Sequence, residues 1–289
     1  MAINQIDIEK RYLPLITAKY VQDAKTSVLE TDDVFEQYGS EYFVRNIETE
    51  GLGDFDKYGE QAYPHGAVKS TLEPITPESE RGKAFYIDRK DEERSGNLLM
   101  KYAKRFLEAH VTPEVDATRL SKIASTDGVV KVAESIETGE QAIASLRKCK
   151  TYEDNTEVAN EIILFANANI TGLIDDLDTT KSTKVLSRFG GRQAVIEIPE
   201  KRFWTAIEKL SGRDGEESGY KKADGAHAIN YIAVPKGSVV AKTIIDMKVL
   251  GPEIQEKDGY TFPFRVENII KVLDDYAEGV YVSYAPTAE

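Results

Sequence analysis

The side chains able to do chemistry in this sequence are few and far apart. The histidines, His65, His110 and His227, show no short ligand spacing, so a zinc site would have to gather residues from distant parts of the chain. Cys149 stands alone, which excludes an internal disulfide framework and an all-cysteine metal site. Its neighbours Lys148 and Lys150 would favour a reactive thiolate; the reading preferred here is a partly buried thiol on a helix. Asp175, Asp176 and Asp178 offer carboxylates for glycoside chemistry, yet acids adjacent in sequence usually mark a solvated helix end. Gly51-Leu52-Gly53 and Gly190-Gly191-Arg192 lack the other positions of a phosphate-binding motif and read as turns. No Gly-x-Ser-x-Gly elbow is present. Trp204, beside Phe203, reads as core at a strand-to-helix turn rather than as a stacking platform. No catalytic, cofactor or metal constellation emerges, and the sequence points to architecture instead.

Composition agrees with that direction. A chain of 289 residues with 41% hydrophobic side chains can bury a full core. Its longest uncharged stretch, 162–174, is shorter than the roughly 18 apolar residues a membrane helix needs. Residues 1–5 have neither a basic nor an apolar leader pattern, so no secretory signal is expected, and the single cysteine fits synthesis in a reducing compartment. The net charge of −13 opposes the counterion release by which proteins hold nucleic acid tightly. An acidic wall beside a packed polyanion remains compatible with it.

The elements that must carry any function follow from periodicity. Leu13, Ile16, Tyr20 and Ala24 recur at helical spacing, and Asp32, Asp33 and Glu36 follow, which predicts a short helix leading into an extended arm. Between 41 and 80, β-leaning pieces at 42–47 and 68–72 are separated by Gly51, Gly53, Gly59, Pro64 and Gly66, as in a long, loosely packed hairpin. The strongest helical signal spans 91–125, with acids at its start and Leu99, Tyr102, Phe106 and Ala109 as its apolar stripe. Pro113 predicts a kink or break near 111–113. Downstream, 139–150 and 170–177 read as helices, and 161–166, 193–198 and 228–234 as strands. The glycines at 212, 215 and 219 mark an exposed loop, and 239–250 with 260–273 form a hairpin of two long strands.

Several segments, in order, resemble tailed-bacteriophage major capsid proteins. They are Arg81-Gly82-Lys83-Ala84-Phe85-Tyr86-Ile87-Asp88, then the acidic-start helix, then the run from Thr112-Pro113-Glu114 to Ile123-Ala124. Ile198-Pro199-Glu200-Lys201-Arg202-Phe203, Ala228-Ile229-Asn230-Tyr231-Ile232, and Lys248 to Pro252 with Phe264-Arg265-Val266 continue the likeness, which covers about 40–284. The resemblance implies an α+β, Hong Kong 97-like capsid fold. Its parts would be an N-terminal arm (1–40), an extended E-loop hairpin (41–88), and a peripheral domain with the long spine helix (89–134). The axial domain would be 135–243, the peripheral-domain hairpin 244–275, and the final axial strand with the C-terminus 276–289.

The same resemblance implies a function without catalysis: self-assembly, as hexamers and pentamers, into an icosahedral shell around double-stranded DNA. It further implies a virion location after synthesis in the bacterial host cytoplasm, non-specific contact with packaged DNA, a portal protein, a separate scaffolding protein, no membrane and no cofactor. An encapsulin-like nanocompartment shell is the alternative within the fold, and a carboxylate-dependent hydrolase built on Asp175 and Asp176 the alternative outside it. Some members of the family crosslink subunits through lysine; Lys57 and Lys69 lie on the expected loop. Residues 1–60 hold thirteen acids against six bases, so arm and loop should meet basic partners on a neighbour. Arg89, Lys90, Arg94, Lys101, Lys104 and Arg105 on the expected spine helix are the candidates. Because 51–66 is glycine-rich and poor in core residues, limited proteolysis should cut it faster in free subunits than in assembled particles; equal rates in both states would contradict this.

Overall fold

The computed structural model describes residues 23–31, 35–38, 41–55, 63, 65–95, 98–157, 161–177, 180–213, 215–251 and 258–286. The amphipathic stretch expected through Leu13, Ile16 and Tyr20 lies outside them, as does most of the connection between the two last long strands. The chain divides into two compact units, residues 31–77 and residues 1–30 with 78–289.

The smaller unit is a three-stranded antiparallel sheet of β1 (Phe35–Tyr38), β2 (Glu41–Thr49) and β3 (Val68–Ile75). β2 and β3 pair from Tyr42 opposite Ile75 to Thr49 opposite Val68, which is the hairpin expected from 42–47 and 68–72. β1 adds to its other edge, with Phe35 opposite Val44. Residues 79–88, placed in the loop from sequence, form β4 (Ser79–Asp88) in the larger unit.

In the larger unit the long helical signal becomes α1 (Arg89–Ser95), α2 (Leu98–Phe106), a π-helical turn (Leu107–Val111) and α3 (Thr112–Ser125). From 98 to 125 the helix runs without a break for about 40 Å. The kink or break expected at Pro113 takes the form of the π turn just before it. A proline ring clashes with the carbonyl four residues earlier and supplies no N–H. Pro113 is the second residue of α3, and the π turn before it, closed by the Thr112 N–H donating to the Leu107 carbonyl five residues back, absorbs one extra residue. The buried stripe is Met100, Ala103, Leu107, Val111 and Val115, one residue out of step with the predicted one. Tyr102 is 55% exposed, and Phe106 is half-buried at the edge of that cluster. Both sets obey three- and four-residue spacing, so periodicity alone cannot choose between them.

The stripe packs on a three-stranded sheet, β11 (Val239–Met247), β12 (Gly259–Val272) and β4. β11 and β12 pair antiparallel from Val239 opposite Val272 to Met247 opposite Phe264, the long hairpin foreseen, and β4 pairs along the other edge of β12. A second sheet has the order β5 (Val130–Ala133), β13 (Tyr281–Tyr284), β10 (Ile229–Pro235), β6 (Ile162–Asn167) and β7 (Ile196–Ile198). Every residue of β10 is buried, as expected of a central strand covered on both faces, and its one polar member, Asn230, donates to the Glu134 carbonyl and Ser283 Oγ. Between the sheets, Leu120 and Ile123 of α3 share one core with Phe165, Phe203, Ile232 and Ile270. The Gly212–Gly219 region, expected as a loop, is the tip of a hairpin of β8 (Ile207–Ser211) and β9 (Ser218–Lys222).

The other face of the second sheet is covered by α4 (Gly139–Thr156), α5 (Ala168–Asp175) and α6 (Thr180–Ser187). A capping box starts α4: the Gln141 N–H donates to Thr138 Oγ1 while Gln141 Oε1 accepts from the Thr138 N–H. Gly139 is required there, because a Cβ would overlap the Leu173 carbonyl of α5. The inner face of α4 carries Ala142, Leu146 and Cys149 into the core. Burial pushes the Cys149 thiol well up, with Glu153 adding to the effect, so the flanking lysines do not activate it.

Glu153, one turn beyond Cys149, is 3% exposed, and its Oε1 has no hydrogen-bond partner. Burial raises its pKa from 4.5 to about 8. Between those values the folded protein holds a proton that the unfolded chain has released, so stability falls as pH rises through this window. Glu153→Gln should remove that slope. Urea unfolding should show the variant gaining on the parent by roughly 1.4 kcal/mol per pH unit between about 5 and 8, and parallel pH profiles would refute the assignment.

Candidate assembly surface

The sheet of the 31–77 unit presents one face with little polar cover. The β2–β3 register places Phe43, Arg45 and Ile47 on the same side as Val68, Ser70 and Leu72. Ile47 is 58%, Val68 73% and Leu72 40% exposed. Singly exposed apolar residues are ordinary, but a contiguous group marks a contact surface. A polar cluster runs through this face, Arg45 standing opposite Leu72 and Ser70 opposite Ile47: Arg45 Nε donates to Glu36 Oε1 at 2.6 Å, Nη2 to Glu36 Oε2 at 3.0 Å and Nη1 to Ser70 Oγ at 3.0 Å. Tyr38 Oη donates to Glu36 Oε2 and its ring meets Phe43 edge-on at 5.7 Å. The Arg45 and Tyr38 hydrogen bonds hold the Glu36 carboxyl below its usual range. Beyond the strands, Leu52, Phe55 and Tyr63 are exposed, with the Phe55 and Tyr63 rings 5.0 Å apart.

The expected contact residues fall in different places. Lys57 lies outside the described residues. Lys69 is on β3, exposed, and on the face opposite Val68 and Leu72. Arg89, Lys90 and Arg94 are exposed on α1, and Lys101, Lys104 and Arg105 are exposed on α2. The backbone N–H of Lys90 donates to Asp88 Oδ1 at 2.9 Å. Lys90 with Arg94 and Lys101 with Arg105 are each spaced to share a helix face. No described side chain pairs with the charges of Lys90, Arg94, Lys101 or Arg105.

What positions this helix is two buried charges on α3, each ion-paired elsewhere, Arg119 with Glu30 and Asp116 with Arg202. Arg119 and Asp116 are both 0% exposed. Arg119 Nε donates to Asn268 Oδ1 of β12 at 3.0 Å, and Nη2 to Thr243 Oγ1 of β11 at 2.6 Å and Glu30 Oε1 at 2.9 Å. Nη1 reaches the carbonyl and the hydroxyl of Thr26. Asp116 Oδ1 accepts from the Thr26 N–H and Oγ1, and Oδ2 from the Lys25 N–H and Arg202 Nη1. The 3-10 turn Lys25–Leu29 is thereby clamped to the helix and to the β11–β12 pair. The quoted run 112–124 contains both residues, but their burial was not read from it. A charged pair spaced by three residues amid Val115, Ala117, Leu120 and Ile123 was the available signal.

Of the carboxylates in the alternative reading, Asp176 caps the end of α5 and is exposed. Asp175 ends α5 and is held by Arg192 Nε at 2.8 Å, which keeps its carboxyl below the usual range; Arg192 also pairs with Glu197. Asp178 lies outside the described residues. Trp204 is half-buried under Lys222, whose Nζ is 4.9 Å from the ring centre, and pairs with Ala228 in an isolated bridge. It follows the 3-10 turn Glu200–Arg202 rather than standing at a strand-to-helix turn. Among the described residues no three His, Cys, Asp or Glu side chains group as a metal site, and no helix is long and apolar enough to cross a membrane.

No protein-family model matches the sequence, and no curated protein matches it. Solved structures do match. A virus-like particle from Pyrococcus furiosus aligns with TM-score 0.56 at 14% identity, over 93% of this chain and 96% of that one. The capsid of Ralstonia phage GP4 aligns with TM-score 0.54 at 11% identity, over 93% and 91%. The capsid of the cyanophage P-SCSP1u aligns with TM-score 0.53 at 15% identity, over 88% and 86%. The likeness at these identities is one of fold, and the fold is the Hong Kong 97-like capsid fold.

Removing one partner of a buried, hydrogen-bonded charge pair costs about 3–5 kcal/mol. Arg119→Ala should therefore lower the urea unfolding free energy of the subunit by that amount. Lys221→Ala, which breaks a half-exposed pair with Glu208, should change it by less than about 1 kcal/mol. Equal effects would show that the clamp is not a stability element.

Proposed function

We propose that this chain is a shell-forming subunit, the major capsid protein of a tailed bacteriophage, and that many copies close around double-stranded DNA. The observation that carries this reading is the match in fold, over nearly the whole length of both chains, to proteins solved as capsids and as a virus-like particle. The exposed face of Ile47, Val68 and Leu72 supports it, since a sheet that leaves such a face open gains most by covering it with another copy. In this reading residues 1–40 are the arm, 41–88 the E-loop, 89–134 and 244–275 the peripheral domain, and 135–243 and 276–289 the axial domain. Hexamers and pentamers, a scaffolding protein, a portal and the packaged DNA are the partners, and the virion is the location. The subunit works by contact, without catalysis.

The charge distribution supports a specific contact. The arm and loop are acidic, while Arg94, Lys101 and Arg105 are exposed on α1 and α2 and unpaired among the described residues. Exposed ion pairs each contribute roughly 0–1 kcal/mol and are screened by salt, but a shell repeats them at every subunit. Electron microscopy of the purified protein should show uniform closed particles, and a small monodisperse species would overturn the reading. Arg94→Glu with Arg105→Glu should abolish particles while the circular dichroism spectrum stays unchanged. Normal particles from that double reversal, with unaltered salt sensitivity, would mean that apolar contacts alone seat the loop.

A further inference from the structure

A cleft of about 370 Å³ opens between β4, the π turn with the start of α3, β12 and the β8–β9 hairpin, all within the larger unit. One wall is aromatic. The Phe106 ring meets Phe85 at 4.8 Å and Phe264 at 5.4 Å, both edge-on, and His110 lies 5.6 Å away. Phe264 is buried, whereas Phe85 and Phe106 are half-buried and keep ring surface toward the opening.

The other wall is charged, and its charges are unevenly satisfied. Arg81 Nε pairs with Glu114 at 2.7 Å, while Nη1 donates to the Leu210 carbonyl at 2.7 Å and Nη2 to the Gly219 carbonyl at 3.3 Å. Glu80 pairs with Arg265 at 2.8 Å. Both carboxylates in the lining therefore have an arginine neighbour, although Glu114 Oε1 makes no hydrogen bond and Arg265 is shared with Glu267. Lys83 differs: its Nζ donates to the Gly212 carbonyl at 2.8 Å and has no carboxylate partner among the described residues. A cation entering the cleft would find each acid already beside an arginine. An anion would find the Lys83 ammonium, which has no carboxylate partner among the described residues, beside an aromatic wall. A concave site of a few hundred Å³, mostly apolar with a small number of placed polar groups, has the build of a small-molecule pocket.

We propose that this cleft binds a small apolar carboxylate, its hydrocarbon body against Phe85, Phe106 and Phe264 and its carboxylate on Lys83. The proposal does not depend on shell formation and is tested on the free subunit. Titration with anilinonaphthalene sulfonate, an apolar anion whose fluorescence rises in dry sites, should show one saturable site that phenylbutyrate displaces. Lys83→Gln should weaken the sulfonate about tenfold, the size expected of a hydrogen bond to a charged group, and leave the affinity for uncharged phenylnaphthylamine unchanged. Lys83 is exposed, so this variant should melt at the parent temperature. A second variant, Leu52→Ser with Phe55→Ser and Tyr63→Ser, removes one exposed apolar group able to take up the dye, distinct from the Ile47, Val68 and Leu72 face, and should leave the saturable site intact. Wild-type sulfonate affinity in Lys83→Gln, no displacement by phenylbutyrate, or loss of the signal in the triple variant would each overturn the proposal.

Discussion

The desolvated guanidinium of Arg119 and the carboxylate of Asp116 set what else in the larger unit can move. A buried charge is tolerated only when its hydrogen-bonding groups are satisfied, and here the partners come from four separate pieces of chain. They are the 3-10 turn at Lys25–Leu29, β11, β12 and the turn carrying Arg202. Sliding any one of them would strand a charge in an apolar surround. The apolar cluster of Met100, Leu107 and Val115 against Phe264 and Val266 is non-directional and would accept small shifts. The polar clamp supplies the register that this packing lacks.

The two units divide the physical work. The larger one contains the cores, including the fully covered β10 and the α4 helix whose start fits around the Leu173 carbonyl. Among its described residues the smaller one has a short sheet with three buried apolar side chains, Tyr42, Val44 and Ile75, too few to make a core. Its hydrogen-bonded cluster around Arg45 fixes the strands laterally, while Ile47, Val68 and Leu72 remain accessible. Such a piece is built to be completed by contact.

Elements with strong patterns were legible in the sequence. The apolar run at 161–166 gave β6, the β-rich stretches after 239 gave the β11–β12 hairpin, and the periodic stretch from 139 gave α4, although its end was drawn too early. Where the reading failed, two signals obeyed the same rule or a signal was too short. The helix stripe was placed one residue off because Tyr102 with Phe106 and Ala103 with Leu107 satisfy the same spacing. β5 and the two strands flanking Gly212–Gly219 were missed because they are short, half-exposed and interrupted by lysine and glutamate. The proposed contact surface is legible in charge but not in shape. The lysines and arginines on α1 and α2 were named from sequence, whereas the open apolar face of the loop needs the β2–β3 register to be seen. Asp116 and Arg119 escaped because charged side chains are ordinarily assigned to solvent, and only the fold brings Thr26, Thr243 and Asn268 around them.

The π turn at Leu107–Val111 acts as a phase adjuster. Each residue advances a helix by about 100°, so one extra residue rotates everything after it relative to everything before it. With that turn in place, Met100 and Ala103 upstream and Val115 downstream look toward the same sheet, while Asp116 and Arg119 point at the Lys25–Leu29 turn and the β11–β12 pair. Deleting a single residue between 107 and 111 would regularise the helix and swing the clamp out of alignment with the apolar stripe by more than a quarter of a revolution. The length of this short stretch, more than the identity of its side chains, is therefore what the fold constrains. Insertions or deletions here should be far less tolerated than substitutions at the exposed positions Glu108 and Ala109.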